Sequence, residues 1–285
     1  MLNEVSSFLL IGQSNMAGRG YIKDVKQIYD EQIRMLVNGR WQTMTEPINF
    51  DRPTSGVSLA ASFAGAWRLE NPGRQIGLIP CAEGGSSLDD WAVGGPLFEN
   101  AVFNAKLAMR ISTLEGILWH QGENDSFGGR FKQYNDKLQV IITALRDELQ
   151  VPEIPLILGG LGDFLADGRY GKYFTEFRTV NGKLLEFAST QPNTFFVTAS
   201  GLTANPDGLH FNAVSLRKFG IRYFKAFQYR QNIEAATADE NELIDTIANR
   251  ELTKTEKINL LEISFASGTI SLENCEAQLA LLNAG

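Results

Sequence analysis

Five short apolar runs, each closed by glycine, proline or polar residues, recur between longer helix-like stretches. They are Phe8–Ile11, Ile76–Ile79, Leu114–Trp119, Ile154–Leu158 and Phe195–Thr198. None shows clean polar alternation, so each reads as a strand buried on both faces. The stretches Ser58–Glu70, Glu99–Arg110, Arg130–Gln150 and Gly171–Thr190 lie between them. In the third, Leu138, Ile141, Ile142, Leu145 and Leu149 recur at helical spacing. This order predicts an α/β fold of three layers, α/β/α, around a central parallel sheet of about five strands. Ligands in such folds bind beyond the carboxyl ends of the strands, which directs attention to the loops that follow them.

Two features stand outside the repeat. Asn38-Gly39 falls between strand-like segments in residues 33–44 and predicts a hairpin at the edge of the fold. A helix is expected from Ala213 to about Tyr229, and polar sequence follows it. We therefore divide the chain into a main domain, 1–230, and a C-terminal extension, 231–285, packed on that domain or at a contact between copies of the chain. In the extension, Glu240–Leu252 and Leu272–Leu282 look helical, while Leu261, Ile263 and Phe265 alternate like a strand.

Charge and end sequences limit the function classes. Lys plus Arg is 26 against 33 for Asp plus Glu, a net charge of −7, which disfavours non-specific binding to nucleic acid or an anionic membrane. No apolar run reaches membrane-spanning length, and the N-terminus lacks the basic region of a secretory signal. Two cysteines, Cys81 and Cys275, do not make a disulfide framework or a structural zinc site. A cytoplasmic location is the expectation, with no metal and no cofactor.

Four loops carry groups suited to chemistry. After the first strand comes Gly12-Gln-Ser-Asn-Met-Ala-Gly-Arg-Gly20. Ser14 would stand at a helix N-terminus with its own N–H unpaired. That suits a nucleophile whose amide stabilises the oxyanion it creates, although a serine there can also be a plain helix cap. Neither a phosphate-binding loop nor a dinucleotide loop is present. Gly84-Gly85 offers unhindered N–H groups in Gly84-Gly-Ser-Ser-Leu88. Trp119-His-Gln-Gly-Glu-Asn-Asp125 adds Gln121 as an amide donor. In Asp207-Gly-Leu-His210 the spacing of three lets the carboxylate hold the imidazole, freeing Nε2 to take a proton.

Together these four blocks closely resemble the SGNH-hydrolase superfamily. Within it they are similar to the carbohydrate esterase family 6 and sialate O-acetylesterase-like group, which includes acetylxylan esterases. The resemblance spans about residues 5–230. It implies an SGNH, flavodoxin-like fold and a serine esterase that removes acetyl groups from sugar hydroxyls without a cofactor. By the resemblance Ser14 is the nucleophile, His210 the base and Asp207 its orienting acid. The oxyanion hole would use the N–H groups of Ser14 and Gly85, with Gly84 as the alternative glycine, and the side chain of Gln121, with Asn124 a second choice. A substrate pocket is expected among Gln13, Asn15, Met16, Trp91, Trp119, His120 and Glu123, and Trp91 or Tyr21 would stack on a sugar. The expected partner is an acetylated sugar or oligosaccharide. Two rivals remain: a carboxylesterase or thioesterase for other acyl groups, and a carbohydrate-binding protein without catalysis.

Overall fold

The computed structural model describes residues 5–284. The chain begins with β1 (Val5–Gly12) and a short helix, α1 (Ser14–Ala17). A hairpin follows, β2 (Ile33–Val37) and β3 (Arg40–Thr43), then α2 (Leu59–Glu70), β4 (Gln75–Pro80) and α3 (Pro96–Ala108). Next come β5 (Ser112–His120), α4 (Tyr134–Leu149), β6 (Leu156–Gly159), α5 (Phe177–Thr190) and β7 (Thr194–Val197). Four helices complete the chain: α6 (Ala213–Tyr229), α7 (Glu240–Ala248), α8 (Lys254–Ala266) and α9 (Leu272–Ala284).

The strands form one seven-stranded sheet in the order β3-β2-β4-β1-β5-β6-β7. All neighbours are parallel except β2 and β3. The sheet is thus larger than the five parallel strands expected. The hairpin does not merely decorate an edge, because Ile33, Arg34 and Met35 pair in parallel with Ile76, Gly77 and Leu78 of β4. Ile33 and Met35 are buried in the core, which gives β2 a reason to join the sheet. The turn itself is as read, with Asn38 and Gly39 at φ of 49° and 75°.

β1 explains the absence of polar alternation. Phe8 and Leu10 enter one core with Phe63, Trp67 and Phe219 of α2 and α6. Leu9 and Ile11 enter the other with residues of α3, α4 and α5. Successive residues of a strand point to opposite faces, and here both faces are covered by helices. The order of strands reverses at β1, which lies between β4 and β5. A crevice at the carboxyl ends of the strands opens at such a reversal. The loops after β1, β4 and β5 therefore meet there.

The compact unit containing the sheet runs through residue 248, beyond the expected division at 230. The added helix α7 packs on α2 and α6, with Ile247 against Gly65 and a buried Arg222–Glu240 ion pair. The second unit, 249–285, holds α8 and α9. Leu261, Ile263 and Phe265 lie in helix α8 rather than in a strand. A capping box between Thr253 and Glu256 starts this helix and outweighs the local alternation.

Candidate active site

Gly12 ends β1 with φ of 129°, and a Cβ there would run into the His120 carbonyl. Only glycine permits this approach, which lets the Gln13 N–H bond to His120 O at 2.8 Å. The chain then turns into α1, whose first residue is Ser14. Its Oγ lies 3.1 Å from His210 Nε2. His210 Nδ1 lies 2.7 Å from Asp207 Oδ2. A carboxylate only accepts, so Nδ1 carries the proton and donates, and Nε2 is left to accept from the serine hydroxyl.

Asp207 is itself fixed. Its Oδ1 accepts the N–H groups of Leu209 and His210 at 2.9 and 3.0 Å. Burial pushes its carboxyl up, but the His210 ring and these two backbone donors outweigh that and hold the pKa down at about 2. The loop folds back on itself, with Asn205 N–H bonded to His210 O at 2.7 Å.

Asn15 joins the two halves of this arrangement. Its Oδ1 accepts the Phe211 N–H at 3.0 Å, and its Nδ2 donates to Leu209 O at 3.4 Å. The residue after Ser14 thus grips the chain on both sides of His210. Nδ2 also donates to Glu123 Oε1 at 2.6 Å, which anchors the grip to the loop after β5.

A second buried device orders the glycine loop after β4. Asp51 Oδ2 accepts the Gly84 N–H at 2.8 Å, and Arg19 Nη2 lies 2.5 Å from the same oxygen. Burial raises the Asp51 pKa, while Arg19, Gly84 N–H and Ser55 together hold it below its ordinary value. Gly84 is therefore committed as a donor. Gly85 has φ of 81°, and its carbonyl accepts from Asn124 Nδ2 at 2.7 Å. Among the described residues the N–H groups of Ser14 and Gly85 have no hydrogen-bond partner. Of the two glycines, Gly85 is the one with a donor to offer.

Gln121 does not stand where the resemblance implies. It is fully buried, and its Nε2 donates to Asp125 Oδ2 at 2.6 Å and to Ser86 O at 3.2 Å. Tyr134 OH lies 3.1 Å from its Oε1. Both amide protons are in use, so Gln121 braces the loop from beneath. Asn124, half-buried beside Gly85, is the amide nearer the surface.

The expected pocket residues are likewise interior. Gln13, Asn15, Met16, Trp91, Trp119, His120 and Glu123 are all buried. Gln13 Oε1 accepts the Gly122 N–H at 3.2 Å. Trp91 meets Trp119 edge-on at 5.6 Å and donates to Ser86 Oγ at 3.0 Å. His120 Nε2 lies 3.2 Å from Gly160 O, and burial pushes its pKa down, keeping the ring neutral. The physical reason is position: Met16, Trp91 and Trp119 turn into the two cores, while Gln13, Asn15 and Glu123 are spent on hydrogen bonds between the loops. Tyr21 is exposed. The site has other aromatic neighbours, Phe127, Tyr170 and Tyr173; the spacing of Tyr173 with Phe177 and Leu184 suits the buried face of a helix over 171–190, but Tyr173 lies ahead of α5 and is half-exposed. The three aromatic neighbours line a cavity of about 520 Å³ that also includes Asn124 and Leu209.

No group of three or more His, Cys, Asp and Glu among the described residues is arranged to hold a metal ion. Cys81 and Cys275 are free and buried, and burial pushes the Cys81 thiol up to about 12. No helix among the described residues is long and apolar enough to cross a membrane.

A serine hydroxyl beside an oriented imidazole, with two N–H groups free of partners, suits acyl transfer. Comparison with known proteins agrees. A probable carbohydrate esterase of Arabidopsis thaliana is 29% identical over 242 residues, covering 77% of this chain and 89% of the relative. The X-ray structure of the Arabidopsis protein superposes with a TM-score of 0.70 at 26% identity, over 79% of this chain and 98% of that one. NanS shares the fold, with a TM-score of 0.66 at 16% identity over 80% of this chain and 98% of its own. A carbohydrate acetylesterase from Xanthomonas citri does so with a TM-score of 0.58 at 21% identity, over 79% of this chain and 57% of its own. Residues 4–229, which include Ser14, Asp207 and His210, match the family described as carbohydrate esterase, sialic acid-specific acetylesterase, and the chain belongs to that family.

Proposed function

We propose that Ser14, His210 and Asp207 carry a two-step hydrolysis of acetyl esters on carbohydrate hydroxyls. Serine-type carbohydrate O-acetylesterase activity follows from the family. The observation that supports these residue roles is the continuous relay from Asp207 Oδ2 through His210 to Ser14 Oγ, with distances of 2.7 and 3.1 Å.

In the first step His210 Nε2 takes the hydroxyl proton as Ser14 Oγ attacks the acetyl carbonyl carbon. The carbonyl oxygen becomes an oxyanion and is met by the N–H groups of Ser14 and Gly85. Such donors, fixed before reaction, stabilise the developing charge without reorganising. Asp207 stabilises the imidazolium and keeps its tautomer. His210 then protonates the departing sugar oxygen, leaving Ser14 acetylated. Water repeats the attack, giving its proton to His210, and acetate leaves as Ser14 recovers its own.

The test compares wild-type hydrolysis of p-nitrophenyl acetate, butyrate and octanoate, followed by acetate release from a per-acetylated sugar. Activity highest on acetate, with release from the sugar, is the expected result. Rates that rise from acetyl to octanoyl would favour the longer-chain carboxylesterase.

A further inference from the structure

The cleft beside Ser14 and His210 is built mainly from two segments that the catalytic relay does not use. Phe127 and Arg130 come from the segment after β5, and Tyr170, Tyr173 and Phe174 from the segment after β6. It meets the catalytic centre at two points. Leu209 directly precedes His210, and Asn124 is bonded to the Gly85 carbonyl at 2.7 Å. The loop bearing the tyrosines is pressed onto the histidine loop, since a Cβ on Gly168 would collide with the Gly208 carbonyl. Whatever fills this cleft lies against the reacting ester.

We propose that this cleft is the subsite that holds the sugar ring of the substrate, with Tyr173, Tyr170 and Phe127 as its stacking surfaces and Arg130 as a polar guide. The inference rests on the esterase reading and adds where and how the carbohydrate is gripped. Phe127, Tyr170 and Tyr173 are 50%, 36% and 49% exposed, so part of each ring faces solvent, and the Arg169 guanidinium lies over the Tyr170 ring, 5.6 Å from its centre. Phe127 and Tyr173 meet edge-on at 6.3 Å, which fixes their relative tilt. The Lys172 ammonium takes one face of the Tyr173 ring, 4.8 Å from its centre. Aromatic faces suit the C–H faces of a pyranose, while a sugar's hydroxyls need directional partners at the rim. Arg130 donates to Asn124 O at 3.1 Å and its charge also acts on Asp90 and Asp125, but its other guanidinium N–H groups make no hydrogen bond among the described residues and are left for those hydroxyls. A fatty acyl chain would leave these rim donors without partners, so an acyl tunnel fits the lining less well.

The test has two arms. In the first, the Ser14→Ala protein is mixed with glucose pentaacetate, and saturation-transfer NMR reads contact at the sugar ring protons. Signal is expected in Ser14→Ala and is expected to weaken roughly tenfold on adding Tyr173→Ala, while Tyr173→Phe, which keeps the ring, restores it. In the second, the ratio of kcat/KM for glucose pentaacetate to that for vinyl acetate is measured in wild type and in Tyr173→Ala. The ratio is expected to fall about tenfold through KM, whereas general damage to the fold would lower both rates and leave the ratio. No sugar contact, or a ratio that does not move, overturns the proposal. Tyrosine-dependent binding without hydrolysis by wild type would overturn the esterase reading and leave the sugar subsite standing.

Discussion

Asp51 Oδ2 accepts the Gly84 N–H at 2.8 Å while paired with Arg19 at 2.5 Å. One buried carboxylate thereby occupies the N–H of the first glycine of the pair, while that of the second has no partner among the described residues. The same pairing occupies the Arg19 guanidinium. Asp51→Ala leaves Arg19 buried without its partner. Breaking a buried pair in this way costs about 3–5 kcal/mol, so urea denaturation should show a clearly lowered midpoint, and kcat should fall in the fraction that stays folded. A variant with wild-type stability and turnover would show that the pairing does not order the loop.

Asn15 is expected to act through position. Asn15→Ala releases both sides of His210 and strips Glu123 Oε1 of its donor. Leaving such buried groups unpaired costs about 1–3 kcal/mol. Kinetically, kcat should fall while KM holds, because Asn15 is buried away from substrate. A rise in KM at constant kcat would instead place Asn15 in contact with the ligand.

Gln121 separates two accounts of the oxyanion. As a donor, its loss would cost about 10²–10³ in turnover at normal stability. As the brace seen here, Gln121→Ala should lose about 1–3 kcal/mol of stability and keep kcat within about tenfold. Paired melting and kinetic measurements decide between them.

The low pKa of Asp207 makes stability depend on acid. Its folded value, about 2, lies below the ordinary 3.8. The charged form is therefore favoured by folding, and this contribution is complete above the unfolded value. It is lost as pH falls from near 4 toward 2. Melting temperature should decline through that window, and Asp207→Asn should flatten part of the decline. Equal pH dependence in both proteins would mean the carboxylate adds nothing to stability through this shift.

The parts of the site that were legible in sequence are those set by residue type at the end of a strand. Ser14 and the Asp207–His210 pair stood out by their loops and their spacing, and the resemblance supplied the roles that spacing alone left open. Asp51 was not legible, because its partner Arg19 lies 32 residues away and nothing local marks either as half of a pair. Trp91 and Trp119 were visible as large aromatics, but that both turn into the core covered by α3, α4 and α5 depends on packing that no local pattern shows. The cleft aromatics sit in irregular segments without period. In the fold, the five central strands were readable from their apolar runs. The parallel pairing of β2 was not, since Ile33 and Met35 make too short a pattern, and α8 was read as a strand although its Thr253–Glu256 capping signal was present.

The central claim is that Ser14 is the nucleophile. Acetate release from glucose pentaacetate by wild type and by Ser14→Ala, both shown to be folded by circular dichroism, tests it most directly. Turnover in the variant is expected to drop by roughly 10³-fold or more, with the residual rate owed to the remaining binding and oxyanion groups. Turnover near that of wild type would contradict the account.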